Sequence, residues 1–207
     1  MGEKETFITK LEKGRAEFAY RCVAESLLNL KPFELEGKRF LESVVKDIKD
    51  VIRGKMEEEV KKGKIKREKI DELFNSPSEY LKKDKEQNLS DVEKKVIKHY
   101  KDLIDNYKSY VRKISSMILS NGLGQTLAFV KAKSKRGNAY DLIYKQLTEY
   151  MKSNHTTRIS MPQSETDLVK WVISCNSKDY RYITQEILAF LQWLKRFAEG
   201  LIEEGGE

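Results

Sequence analysis

The sequence predicts an all-α fold, a helical bundle of about six to eight helices with a charged helical insertion in the N-terminal half. Three prolines and eleven glycines interrupt 207 residues. Apolar residues recur at helical spacing, and alternating runs rich in Val, Ile and Thr are missing. With 39% hydrophobic and 35% charged residues, one core in a charged shell is expected. We expect a single all-α domain over 1–207, with a charged insertion or helix-pair extension over 32–89 and a core bundle over 90–204.

Two helices and a less regular segment are predicted in the N-terminal half. Apolar residues over 11–30 keep one helical face, and Pro32 ends that helix. A second helix presents apolar residues over 40–56 on one side. Residues 57–87 are mostly charged, so we expect a short helix with mobile connections there, broken at Pro77.

The strongest helical signal lies in the middle of the chain. Ser90 is placed as an N-cap, and Glu93 follows three residues later in the capping-box pattern. Apolar residues over 92–118 then keep one face for about 28 residues, or roughly 40 Å of helix. Asn121 and Gly122 end this helix, because glycine accepts the backbone conformation that a helix C-terminus often needs.

The remaining sequence predicts shorter elements and one long last helix. These are a helix over 123–133, a helix over 139–153, a polar loop over 154–164, a short helix over 168–175, and a last helix capped by Ser177. In the last helix, Phe190, Trp193 and Phe197 widen the apolar stripe. Such a wide face indicates deep packing or a partner contact, and core packing is the simpler interpretation.

The excess positive charge is concentrated in one window. The chain has a net charge of +7, and residues 108–158 carry 10 Lys and Arg against 2 Asp and Glu. Within this window the cations bracket the Gly122 turn, and Tyr140 and Tyr144 follow them. Cations beside aromatic side chains favour binding to a nucleic-acid backbone with some base stacking. Solvated helix ends, where lysine complements the helix dipole, explain the same pattern equally well.

Sequence motifs for catalysis and metal binding are missing. His99 and His155 have no Cys, Asp or Glu at metal-ligand spacing. Cys22 and Cys175 show no CxxC spacing, which predicts buried, reduced thiols. A phosphate-binding loop is excluded at the glycine turn, because Gln125 stands where that motif needs lysine. We therefore expect no catalytic residue, no metal and no cofactor.

The composition also bears on location. The sequence contains no apolar run long enough to span a bilayer and no signal-peptide pattern near its start. We expect a cytoplasmic protein with no membrane partner. The shell rich in Glu and Lys is typical of proteins from thermophiles, although a solvated helical surface has the same composition.

Two motifs resemble a known family. Tyr110-Val111-Arg112-Lys113 followed by residues 118–129 resembles the central motif of the small α-helical subunit of type III-B CRISPR (Cmr) effector complexes. Residues 177–199 are similar to that family's last helix, and residues 15–23 match its first helix. The stretch over 31–88 is longer and more charged than the family pattern.

The resemblance implies a helical-bundle subunit without its own active site. Such a subunit stacks beside the backbone subunits of an RNA-guided antiviral complex and helps to hold guide RNA and single-stranded target RNA. Its expected partners are the other Cmr subunits, these RNAs and neighbouring copies of itself. The alternatives are a small subunit of another CRISPR effector type, a helical adaptor that binds an acidic protein without nucleic acid, or an unrecognised nuclease.

Two residue sets follow as hypotheses. The first is predicted to line an RNA-facing or subunit-facing groove: Arg112, Lys113, Lys131, Lys133, Lys135, Arg136, Lys178 and Arg181. The second is predicted to be a structural turn that lets two helices pack closely: Asn121, Gly122, Leu123, Gly124 and Gln125.

Overall fold

The structure, a computed structural model, describes residues 7–85, 89–153, 155 and 159–204. In this part of the chain nine α-helices and one short hairpin occur, which confirms the all-α prediction. The elements are α1 (Phe7–Arg21), a π-helical turn (Cys22–Leu27), β1 (Phe33–Leu35), β2 (Lys38–Phe40), α2 (Glu42–Lys61), α3 (Arg67–Asn75), α4 (Pro77–Lys85), α5 (Asp91–Asn121), α6 (Leu123–Lys133), α7 (Ala139–Lys152), α8 (Leu168–Ser174) and α9 (Ser177–Glu204).

The core lies where α1, α5, α7 and α9 meet. Tyr150 of α7 stacks on Phe190 of α9 with ring centroids 3.9 Å apart. Phe18 of α1 meets both rings edge-on at 5.5 and 5.8 Å. Tyr107 of α5 is fully buried and donates a hydrogen bond of 2.7 Å to Gln146 of α7. These aromatic contacts join four helices into one core, and they confirm core packing for Phe190.

The central helix forms as predicted. The side chain of Ser90 accepts a hydrogen bond from the backbone of Glu93, and the Glu93 carboxylate accepts one from the backbone of Ser90. This capping box satisfies two amide groups that the first turn leaves without partners. Helix α5 runs for 31 residues and ends at Gly122, so it provides a long support for the elements around it.

The segment over 32–89 contains structure that the sequence patterns did not predict. Residues 33–40 form an antiparallel hairpin, in which Phe33 pairs with Phe40. The rings of Phe33 and Phe40 both pack edge-on against Phe18 in the core. Two short helices, α3 and α4, replace the single short helix that was expected. Pro77 starts α4 rather than only breaking a helix, because its missing N–H needs no partner at a first helical position.

The last helix has a different cap from the predicted one. Ser177 is the first residue of α9, and the side chain of Asn176 accepts hydrogen bonds of 3.0 Å from the backbones of Lys178 and Asp179. The prediction of Ser177 as the cap is therefore wrong by one residue, since an Asn carbonyl fills this role equally well. The predicted loop over 154–164 falls partly outside the described residues, and its described residues, 155 and 159–164, are not helical.

The cysteines are unpaired thiols. Cys22 is fully buried in the π-helical turn, and burial raises the pKa of its thiol. Cys175 is half-buried, and its thiol donates to the carbonyl oxygen of Trp171 at 3.3 Å. In the described ranges, every helix is too short or too polar to cross a membrane.

Candidate nucleic-acid interface

The corner between α5 and α6 organises the candidate site. Gly122 has a φ of +83°, which favours glycine, and it both ends α5 and precedes α6. The Thr126 hydroxyl donates 2.8 Å to the Gly122 carbonyl oxygen, and the Gly124 amide donates 2.9 Å to the hydroxyl of Tyr180. The corner therefore reverses the chain and fixes the first turn of α9 against it.

The five predicted turn residues have different roles. Leu123 is fully buried, and Gly122 carries the special backbone conformation. A Cβ atom at Gly124 would make only ordinary contacts, at 3.5 Å, with Ile173 and Tyr180. Asn121 and Gln125 are exposed. Gly122 and Leu123 therefore set the geometry of this turn.

All eight predicted cationic residues are exposed, but three are engaged within the chain. These three pair with carboxylates on other elements: Arg112 with Glu199 at 2.7 Å, Lys131 with Asp167, and Arg136 with Asp47 and Asp50 at 2.6 and 2.9 Å. Exposed ion pairs of this kind contribute little stability each. They do reduce the charge that these side chains offer to an external anion.

We group three exposed lysines near the α5–α6 hairpin as the lysine face: Lys113, Lys133 and Lys135. No carboxylate in the described ranges lies within ion-pair distance of them. The ammonium groups of Lys113 on α5 and Lys133 on α6 each lie 6.0 Å from the ring centre of Phe129. Lys135 follows two residues after Lys133. The antiparallel arrangement of α5 and α6 therefore brings cations from both helices to one aromatic ring.

The aromatic residues beside the lysine face differ from those predicted. Tyr140 is buried, stacked on Tyr110 at 4.0 Å and in edge contact with Phe129 at 5.9 Å. The hydroxyl of Tyr144 donates to Asp167 at 2.8 Å, so this ring is committed to the α8 cap. Phe129 and Tyr110 are half-buried and reach the surface beside the lysines. The sequence signal that could have found Phe129 is its position four residues before Lys133, which places both on one helical face.

Lys178 and Arg181 lie at a different place. Both are on the first turns of α9, on either side of Tyr180, whose hydroxyl contacts the corner at Gly124. No carboxylate in the described part of the chain pairs with them. The eight predicted residues therefore differ in their contacts within the chain. They separate into the lysine face, three paired cations and a pair beside the corner.

Arg136 belongs to a contact between α2 and the turn that joins α6 to α7. Asp47 accepts hydrogen bonds from Arg136 at 2.6 Å and from Lys145 at 3.1 Å. Burial alone would raise the pKa of the Asp47 carboxyl, but these two hydrogen bonds outweigh it and lower the pKa. Gly137 has a φ of +72°, and a Cβ atom there would lie 2.9 Å from the backbone oxygen of Asp47. The N-terminal segment is thus docked directly on the predicted basic run.

The most buried ion pair lies away from these cations. Arg15 of α1 donates two hydrogen bonds, of 2.8 and 2.7 Å, to Glu186 of α9. Tyr150 donates a third, of 2.5 Å, to the same carboxylate, and Glu12 pairs with the remaining side of the guanidinium. A cavity of about 290 Å³ adjoins this pair. Because both charged groups are fully satisfied within the chain, the pair serves to tie α1 to α9.

Metal ligands do not gather in the described ranges. No group of three His, Cys, Asp or Glu side chains there could hold a metal ion. Burial lowers the pKa of His99, which is half-buried on α5. The exposed cations around the α5–α6 hairpin therefore form the candidate binding surface.

The fold and this surface define a small all-α protein with an exposed cationic face on a helical hairpin. Residues 82–201 match the model of a family described as CRISPR-associated protein (Cas_Cmr5), and the chain belongs to this family. A relative, the CRISPR system Cmr subunit Cmr5 of Thermus thermophilus, is 29% identical over 98 residues, which are 47% of this chain and 76% of that protein. The resemblance to the small α-helical subunit of type III-B Cmr complexes is confirmed. Residues 1–81 precede the matched region.

Proposed function

We propose that this chain is a non-catalytic small subunit of a type III-B Cmr effector complex. In this proposal it helps to assemble the complex and holds guide RNA and single-stranded target RNA through the lysine face. Family membership supports the first part. The observation that carries the second is the convergence of Lys113 and Lys133 on Phe129, without a carboxylate of the described chain to neutralise them.

The chemistry of the lysine face suits single-stranded RNA. Exposed ammonium groups neutralise phosphates and release counterions, which gives affinity without reading the sequence. The half-buried ring of Phe129 lies beside two such groups, and its exposed part provides apolar surface for a base. Stacking of a base on an aromatic ring contributes about 1–3 kcal/mol. A subunit that holds RNA of any sequence needs both properties.

The proposed partners follow from this role. They are the other Cmr subunits, guide RNA, single-stranded target RNA and neighbouring copies of this chain, in the cytoplasm. The three paired cations already bind carboxylates of α2, of the α8 cap and of α9, so the RNA contact is assigned to the lysine face alone.

The lysine face is tested by removing its charges in the assembled complex. Lys113, Lys133 and Lys135 are replaced together by Ala, and the complex is purified through a tag on this subunit. The control replaces three other exposed lysines that have no ion pair in the described chain: Lys46, Lys55 and Lys98. Both variants lose the same net charge.

We expect the lysine-face variant to bind single-stranded RNA at least about tenfold more weakly than the wild type, and the control variant to bind as the wild type does. Equal affinity of all three proteins would contradict the RNA role of the lysine face, and equal weakening of both variants would show only a general charge effect. The purified chain incubated with RNA and divalent metal ions should leave the RNA intact, and cleavage would contradict the non-catalytic role.

A further inference from the structure

Two exposed apolar side chains lie near the corner between α5 and α6, outside the lysine face. Leu119 is 76% exposed and Ile173 is 65% exposed, the two highest values among the large apolar side chains of the described residues. Leu119 precedes Gly122 by three residues, and Ile173 borders the corner because a Cβ atom at Gly124 would lie 3.5 Å from it. We call Leu119, Gly122, Gly124 and Ile173 the corner patch.

The outward side of α6 extends the corner patch. Ala128 and Ala132 are exposed and follow Gly124 at intervals of four residues, so they lie on one face of the helix. Small side chains allow the axis of a second helix to come close, since interaxial distance depends on the side chains at the contact. The surface is therefore shaped for a helix as well as being apolar.

Cations border this surface. Lys170 lies three residues before Ile173 on α8, and Lys178 and Arg181 flank Tyr180 on α9. All three are exposed, and no carboxylate of the described chain forms an ion pair with them. Asp179, on the same turn of α9, accepts a hydrogen bond of 2.7 Å from Asn176. The border thus carries a net positive charge on α9, where Lys178 and Arg181 outnumber Asp179, and a further cation, Lys170, on α8.

We propose that the corner patch is the docking site for a helix of a different protein subunit, one whose apolar side chains are flanked by Asp and Glu. This inference rests on the proposed role in a complex and names the partner surface. Apolar side chains at the centre of a contact, bordered by complementary charge, are the usual arrangement of a protein interface. Leu119 and Ile173 are aliphatic, so they provide neither charge for phosphates nor an aromatic ring for base stacking.

The acidic C-terminal part of α9 in a second copy of this chain does not supply the matching helix. Leu201 and Ile202 there already pack against the copy's own core. Glu199 pairs with Arg112 of the same chain. We therefore assign the docking helix to another protein, and a cross-link to a second copy would contradict this assignment.

The test measures how well the subunit enters the complex. Leu119 and Ile173 are both replaced by Ser, and the other subunits that co-purify with the tagged chain are quantified. The control is Tyr20→Ser, which removes a third large apolar side chain that is exposed among the described residues, at 45%. Tyr20 contacts Phe197, about 25 Å along α9 from Tyr180. Thermal unfolding of each variant shows that the chain is folded.

We expect the double variant to lose at least tenfold in recovered partner subunit, and Tyr20→Ser to recover it as the wild type does. A photo-cross-linking residue at position 119 should attach to a peptide of another subunit that is rich in Asp, Glu and apolar residues. Unchanged recovery, or attachment to RNA or to a second copy of this chain, would overturn the proposal.

This result is separable from the RNA test. The corner variant reports incorporation of the subunit, whereas the lysine-face variant reports RNA affinity. A folded corner variant that is lost from the complex supports the corner patch even when the lysine face proves unimportant. A wild-type chain that recovers no other subunit contradicts the proposed function and this inference together.

Discussion

Replacement of Gly137 by Ala should separate α2 from the turn between α6 and α7. Two physical costs combine at this position. The φ of +72° costs an alanine about 1–2 kcal/mol. The added Cβ would lie 2.9 Å from the backbone oxygen of Asp47 and 3.1 Å from the Val51 side chain, and a forced shift of packed groups costs about 1–3 kcal/mol. The expected loss of unfolding free energy is about 2–5 kcal/mol.

Two other glycines make this prediction specific. Gly63 has a φ of +68° with no atom within 4 Å of an added Cβ, so Gly63→Ala should show only the backbone cost of about 1–2 kcal/mol. Gly54 lies within α2 in open space, and Gly54→Ala should stabilise the protein by up to about 1 kcal/mol.

The assay is thermal unfolding followed by circular dichroism. For a chain of this size about 2–4 °C of Tm corresponds to 1 kcal/mol, so Gly137→Ala should lower Tm by about 4–20 °C. Urea unfolding of the same three variants gives the free energies directly. If Gly137→Ala destabilises the protein no more than Gly63→Ala does, the close contact between α2 and this turn is refuted.

Three further predictions concern stability. Glu186→Ala removes the buried carboxylate that pairs with Arg15 and leaves the guanidinium with only the half-exposed Glu12, so it should cost about 3–5 kcal/mol in urea unfolding; a loss below about 1 kcal/mol would contradict its buried setting. Ser90→Ala removes the cap of α5 and should cost about 1 kcal/mol, whereas an unchanged Tm would show that the capping box is dispensable. A hydrogen bond from Lys131 lowers the pKa of Asp167 below the usual value of 3.8. Hydrogen bonds from Arg136 and Lys145 overcome the effect of burial and lower the pKa of Asp47 below the same value. Their stabilisation is present above that value and is lost as pH falls through the lowered pKa, so Asp47→Asn with Asp167→Asn should flatten the fall of Tm in acid.

The long helices could be predicted from the sequence because their signals are local. The Ser90 capping box and the glycine at position 122 are read within a few residues, and both appear in the structure. The hairpin at 33–40 was missed because its strands have three residues each, too short for a period to emerge. Its stability comes from Phe33 and Phe40 packing on Phe18, a contact that no local pattern contains.

The candidate site was only partly predictable for a related reason. The charge count correctly indicates where cations concentrate along the chain, but it cannot show which ones are neutralised. The carboxylate partner of Lys131 is 36 residues away, and the Asp47 partner of Arg136 is 89 residues away. Folding therefore decides which cations stay free, and the lysine face emerges only when α5 and α6 lie side by side.

The corner patch could not be predicted from the sequence for the same reason. In the sequence Leu119 and Ile173 are ordinary apolar positions of helical segments, and the exposure of a side chain depends on which neighbours the fold brings to it. The structure leaves both side chains largely open. Their position at the glycine corner gives that turn a second role beyond reversing the chain.

The salt dependence of RNA binding tests the lysine face most directly. For single strands, the logarithm of the binding constant falls against the logarithm of salt concentration with a slope of about −0.7 for each phosphate neutralised. Replacing Lys113, Lys133 and Lys135 by Ala should therefore make the slope for the complex shallower by about 2. The control variant of Lys46, Lys55 and Lys98 should keep the wild-type slope. An identical slope for all three proteins would show that the lysine face does not contact RNA.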